Sequence, residues 1–188
     1  MASTAVVLLA GGRATRFPNK LEHVIDGRPM VVRSFERVRA AGWPVYIAGK
    51  GSFSPDTDAR LDAPLLLDRH PGRGPCRAFL DLCSNLDADR LFAIAADQPN
   101  VNAELLHRLA SAWRDGDEAV VPEHDGRLEP LAALYARRPF LREGFTLRAA
   151  GTGSMHEMIA RLATRRLPCE RELFANVNRP DELRGLNA

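Results

Sequence analysis

The longest apolar runs in this chain are strand-length, and they alternate with stretches of helical periodicity. Residues 5–10 (AVVLLA) and 91–96 (LFAIAA) are apolar at every position. Strands of that kind need cover on both faces, which a parallel sheet flanked by helices provides. Between them, 30–41 sets Val31, Val32, Phe35 and Val38 on one helical face and runs out at Gly42, while 45–48 and 65–67 read as further short buried strands. The alternation predicts an α/β fold: one three-layer α/β/α domain over residues 1–188, built on a mostly parallel, Rossmann-like sheet.

The rest of the chain fits that frame with one interruption. Residues 51–64 read as a loop with at most one helical turn, and the turn at 71–75 (PGRGP) feeds a helix holding Ala78, Phe79, Leu82 and Cys83. Asn102 is placed to cap a helix with Leu105, Leu106, Leu109 and Trp113 on one face. The strand-like stretches 119–122 and 131–135 flank His124-Asp125-Gly126-Arg127, which predicts a hairpin-like or crossing connection instead of another βα unit. Ser154 and Glu157 match a capping box, so a helix is expected from there to about Ala163, followed by a short strand near 166–167 and a helix start at Pro180.

The strand ends carry the candidate chemistry. The first strand runs into Gly11-Gly12, then Arg13, Arg16 and Lys20. Glycines let backbone amides approach a phosphate closely, and three cations can neutralise a triphosphate. The same residues would also make an ordinary solvated turn. Neither G-x-x-x-x-G-K-[ST] nor G-x-G-x-x-G occurs, so the two common phosphate loops are excluded. Asp97 ends an apolar strand just before Gln98-Pro99, where it can hold Mg²⁺ or simply cap the turn. Asp68 also ends a strand, and a turn explains it at least as well as a ligand role. Asn176 and Asn178 would face one side of an extended segment, where they could orient a polar ligand or cap the next helix.

Composition narrows the class. Twenty-six Lys and Arg against twenty-four Asp and Glu give a formal charge of +2, too balanced for non-specific nucleic-acid binding. The three cysteines show no C-x-x-C spacing and read as free thiols in a reducing compartment. No apolar run approaches a membrane span and no signal-like leader opens the chain, so a cytoplasmic protein without membrane partners is expected. The five histidines lack zinc-site spacing, no G-x-S-x-G is present, and the aromatics fall at core-like positions.

Taken together the motifs resemble the nucleotidyltransferases, and more closely the molybdenum cofactor guanylyltransferase (MobA-like) group. LLAGGRATRFPNK resembles the opening L-A-G-G-x-x-x-R-[MF]-x-x-x-K signature, and KLEHVIDGRPM its continuation. GRGPCRAFL, AIAADQP, HDGRLEPLAALY and FANVNRPDEL resemble later segments of the same group, in the same order. The resemblance implies a nucleotidyltransferase fold of the GT-A-like kind, with the nucleotide bound by the N-terminal part and the acceptor by the C-terminal part. It implies that Leu9, Ala10, Gly11, Gly12, Arg13 and Asp68 line the nucleotide, that Arg16 and Lys20 meet the triphosphate, and that Asp97 holds Mg²⁺. Asn176 and Asn178 would lie by the acceptor or the metal. The implied reaction moves a nucleoside monophosphate to a phosphate-bearing acceptor, most simply GMP from GTP to molybdopterin. The alternatives are a cytidylyltransferase, a sugar- or cobinamide-phosphate acceptor, or a nucleotide-binding regulatory protein without turnover. A monomer or weak homo-oligomer is expected.

Overall fold

A computed structural model describes residues 2–11, 19–49, 53–67 and 72–177. In chain order the elements are β1 (Thr4–Leu9), β2 (Val24–Ile25), β3 (Arg28–Pro29), α1 (Met30–Arg39), β4 (Val45–Gly49), α2 (Pro55–Asp58), β5 (Leu65–Leu67) and α3 (Pro75–Cys83). There follow β6 (Arg90–Ala95), α4 (Ala103–Ala112), β7 (Ala119–His124), β8 (Arg127–Leu128), β9 (Ala132–Ala136), α5 (Arg137–Ala149), α6 (Met155–Ile159) and β10 (Thr164–Pro168). The sheet runs β10-β7-β9-β6-β1-β4-β5, with β8 paired to β7. β1 is parallel to both β4 and β6, β4 to β5 and β7 to β10, whereas β9 is antiparallel to β6 and to β7.

Strand alternation explains the layering. Ala5, Val7 and Leu9 of β1 pack on the face covered by α3, α5 and α6, while Val6 and Leu8 pack on the face covered by α1 and α4. Both faces are therefore core, as the unbroken apolar runs predict. Asn102 and Ser154 cap their helices, and the Ser154–Glu157 box is formed in both directions.

Three expectations are corrected. The strand at 65–67 is not buried: β5 is an edge strand paired only with β4, and Leu65 and Leu67 are 38% and 61% exposed. The helix after Ser154 stops at Ile159, well short of Ala163. The carbonyl of Ala163 already accepts from the Glu118 and Ala119 amides, and its own N–H donates to the Glu118 carboxylate, so residue 163 belongs to the sheet edge. Helix α5 has no counterpart in the sequence reading. Pro139 and Gly144 break its periodicity, yet Pro139 falls in the first turn, where the missing N–H is not needed.

Gly144 is there for packing. A Cβ at this position would lie 2.4 Å from Leu80 Cδ1, 3.1 Å from its Cδ2 and 3.2 Å from its Cγ, where α5 crosses α3. Leu80 is 2% exposed and surrounded by core, so it has little room to turn away. Overpacking in Gly144→Ala should cost about 1–3 kcal/mol; against the ~1 kcal/mol gained in helix propensity, and with Leu80 held by core, a net destabilisation of up to about 2 kcal/mol is expected. Chemical denaturation checks this; an unchanged or higher midpoint would contradict the close-packed crossing.

Candidate active site

The topology gathers distant segments at one edge. β1, β4 and β6 are parallel, so Gly11 and Asp97, which follow β1 and β6, and Gly49, which ends β4, all lie at that edge. β9 is antiparallel to β6 and β7 antiparallel to β9, so β7 points the same way as β6. The end of β7, the Asp125-Gly126 turn and the start of β9 therefore share the edge, and so does the segment following β10. Asp125 and Gly126 both take positive φ (47° and 72°), as this tight hairpin requires.

The Asp97 turn is braced from several sides. The Ala96 amide donates to the Leu9 carbonyl (3.1 Å) and the Ala10 amide to the Ala48 carbonyl (2.7 Å), tying the ends of β6, β1 and β4 together. From α1, the buried Ser34 hydroxyl donates to the Ala96 carbonyl (2.9 Å) and the Arg37 guanidinium to the Asn100 carbonyl (3.2 Å). The Val177 amide donates to the Asp97 carbonyl (3.1 Å), which draws Asn176 to the same place. Gly11 is exposed and outside the left-handed region; a Cβ there would meet only the Ala48 carbonyl, at 4.0 Å. Its backbone conformation does not demand glycine.

Lys20, 77 residues away in sequence, reaches Asp97: Nζ lies 2.5 Å from Oδ2, with the two side chains 18% and 25% exposed. Lys20 opens a 3₁₀ turn, Lys20–Glu22, entered through Asn19 in the left-handed region (φ 53°). Glu22 anchors that turn by accepting from the Ser54 amide (2.6 Å), the Ser54 hydroxyl (3.1 Å) and the Thr57 hydroxyl (2.6 Å). Burial alone would raise the Glu22 carboxyl, but the hydrogen bonds from Thr57 and Ser54 outweigh it and hold it below its ordinary value. A depressed carboxyl stabilises the fold fully above its unfolded pKa, and that contribution fades as pH falls through the folded value. Wild-type protein should therefore melt above Glu22→Gln at neutral pH, the gap closing as pH falls below about 4.3. Circular-dichroism melts from neutral to acid pH check this; a pH-independent gap would contradict it.

Of the residues expected at the site, Leu9, Ala10, Gly11, Lys20, Asp97 and Asn176 come to this edge. Gly12, Arg13, Arg16, Asp68 and Asn178 lie outside the described residues, as does Pro180. Beside Asp97 opens a cavity of about 610 Å³, lined among others by Gln98, Arg127, Glu129, His156 and Asn176. That volume suits a small organic ligand. Sequence reasoning named none of Gln98, Arg127, Glu129 or His156 as site residues. The strand-end logic applied to Asp97 would have reached His124 and its turn, had β7 been recognised as pointing the same way as β6.

A hard cation fits the donors here. Asp97 offers a carboxylate, and Asn176 lines the same cavity with an amide. Among the described residues no group of three His, Cys, Asp or Glu could hold a metal. One carboxylate can suffice for Mg²⁺, which retains waters and takes its other ligands from phosphates where these are present. No helix among the described residues is long and apolar enough to cross a membrane.

Known proteins share this chain's sequence pattern and fold. The sequence profile of the MobA-like NTP transferase domain matches residues 6–167. A probable molybdenum cofactor guanylyltransferase of Methanothermobacter thermautotrophicus is 28% identical, over 96% of this chain and 97% of its own. One from Natronomonas pharaonis is 30% identical over 71% of this chain and 68% of its own. Among solved structures, molybdopterin-guanine dinucleotide biosynthesis protein A from Archaeoglobus fulgidus superposes with a TM-score of 0.79, covering 97% of this chain and 96% of its own at 23% identity.

Proposed function

Because this chain belongs to the MobA-like NTP transferase domain family, we propose that it transfers GMP from GTP to molybdopterin and releases pyrophosphate. The observation that carries the reading is the Lys20–Asp97 pair at the carboxyl edge, beside a cavity that Asn176 also lines. The relatives named as molybdenum cofactor guanylyltransferases support the choice of acceptor, and the Leu-Ala-Gly-Gly opening favours guanine.

An oxygen of the acceptor phosphate attacks the α-phosphorus of GTP. The new P–O bond forms as the bond to the β-phosphate breaks, and pyrophosphate leaves with the electron pair. The acceptor phosphate is already anionic at neutral pH, so no strong base is needed. The reaction needs in-line positioning and neutralisation of charge as two anions meet. Lys20 supplies an ammonium toward the triphosphate, and Asp97 would hold Mg²⁺, which when bound neutralises phosphate charge. Asn176 orients the acceptor. Of the residues outside the described set, Gly12, Arg13 and Asp68 would contribute to the nucleotide side with Leu9, Ala10 and Gly11. Arg16 would contribute a second cation, and Asn178 a second amide.

Pyrophosphate release assayed with GTP, CTP, ATP and UTP, each with molybdopterin and Mg²⁺, tests the reading. Release with GTP at rates well above the other three is the expected result. A preference for CTP would replace guanylyl by cytidylyl transfer. Nucleotide binding without release would mark a regulatory protein.

A further inference from the structure

One wall of the cavity carries Gln98 and Glu129, with His124 bonded to Glu129 behind them, and the reaction above uses none of the three. Gln98, 3% exposed, donates from Nε2 to Glu129 Oε2 (3.1 Å), and the other Glu129 oxygen, Oε1, lies 2.8 Å from His124 Nε2. A carboxylate only accepts, so both neighbours must turn an N–H toward it. That leaves the Gln98 amide with its oxygen pointing away from Glu129, and it makes His124 Nε2 the donor to Oε1. The His124 ring lies flat on Phe174, with centroids 5.3 Å apart and planes 10° apart, which holds the imidazole in place.

Glu129 is thus a carboxylate oriented from two sides while it lines the cavity, its side chain 18% exposed. Next to it, Gln98 Oε1 is buried and has no hydrogen-bond donor among the described residues. Buried acceptors are seldom left unpaired in native proteins. Glu129 is the group of the trio that this wall exposes to the cavity, and as a carboxylate it accepts, so the complementary ligand edge carries N–H donors.

We propose that Glu129, positioned by Gln98 and His124, is a specificity-determining residue that binds the paired N–H donors of a 2-amino-4-oxopyrimidine edge, seating the pterin ring of the acceptor in this cavity. A carboxylate taking two parallel N–H donors is a strong and orientation-specific contact. The assignment rests on reading the cavity as the acceptor's. A guanine base carries the same edge, but the cavity lies among β6, β7 and β9, on the far side of Asp97 from Gly11, which follows β1.

Fluorescence titration with 6-hydroxymethylpterin, and with the matching lumazine in which oxygen replaces the 2-amino group, tests this without requiring turnover. Wild-type protein is expected to bind the pterin about 10- to 100-fold more tightly than the lumazine, the range for a charge-assisted hydrogen bond. Glu129→Gln, which keeps the side-chain shape, should lower pterin affinity by a similar factor, abolish the discrimination and leave GTP affinity unchanged. Equal affinity of the wild-type protein for the two ligands overturns the proposal even if the variant fails to fold. Retained discrimination in Glu129→Gln, or loss of GTP affinity instead, also overturns it and leaves the trio a structural brace or a base site. Selective pterin binding without GMP transfer would overturn the proposed reaction alone; transfer without discrimination would overturn this proposal alone.

Discussion

Asp97→Asn is expected to lower kcat for nucleotidyl transfer by about 10²–10³-fold while leaving the chain folded, the loss typical when one preorganised electrostatic contact is removed. Asparagine keeps the shape of the side chain, and its carbonyl can still accept from Lys20, so the local packing around the turn survives. What it loses is the negative charge that would hold Mg²⁺. The Ser34, Arg37 and Val177 contacts that brace this turn all run to backbone carbonyls and are untouched by the change. Initial rates of pyrophosphate release at saturating Mg²⁺ check the prediction. A variant with full Mg²⁺-dependent activity would remove Asp97 from the reaction.

Lys20→Ala is expected to cost a similar factor, about 10²–10³ in kcat/KM. The ammonium sits 2.5 Å from the Asp97 carboxylate and is mostly shielded from solvent, so screening by water does little to soften its loss. Residues that act as a unit give non-additive losses. The Lys20→Ala, Asp97→Asn double variant should therefore be about as slow as the slower single variant. Rates of the two single variants and the double variant, measured side by side, decide this. Fully multiplicative losses would mean that the two residues act independently and that their contact is incidental.

How much of this was legible beforehand follows from which signals are local. The unbroken apolar runs of β1 and β6 announced buried parallel strands, and the Asn102 and Ser154 caps were readable because a cap is set by residues three apart. The turn at Asp125-Gly126 was equally local, and it marked the place where the βα alternation stops. α5 escaped because Pro139 and Gly144 contradict helical periodicity, and what justifies Gly144 is a tertiary contact with Leu80. The exposure of Leu65 and Leu67 depends on the position of β5 at the sheet edge, which its three apolar residues do not encode. At the site, Asp97 could be singled out because it ends a strand. The Lys20–Asp97 contact could not be read from spacing, since it depends on the turn that Glu22 anchors to Ser54 and Thr57. The Gln98–Glu129–His124 trio depends likewise on the antiparallel strand β9, which brings its turn back beside Asp97.

The central claim is that this edge joins a nucleoside monophosphate to a phosphorylated acceptor. GTP radiolabelled on its α-phosphate, incubated with molybdopterin and Mg²⁺, tests it most directly. The label is predicted to appear in a product joined to the pterin, with the released pyrophosphate unlabelled, and chelation of Mg²⁺ should abolish the transfer. Label found only in free GMP, or transfer of the γ-phosphate to the acceptor in its place, would contradict the account.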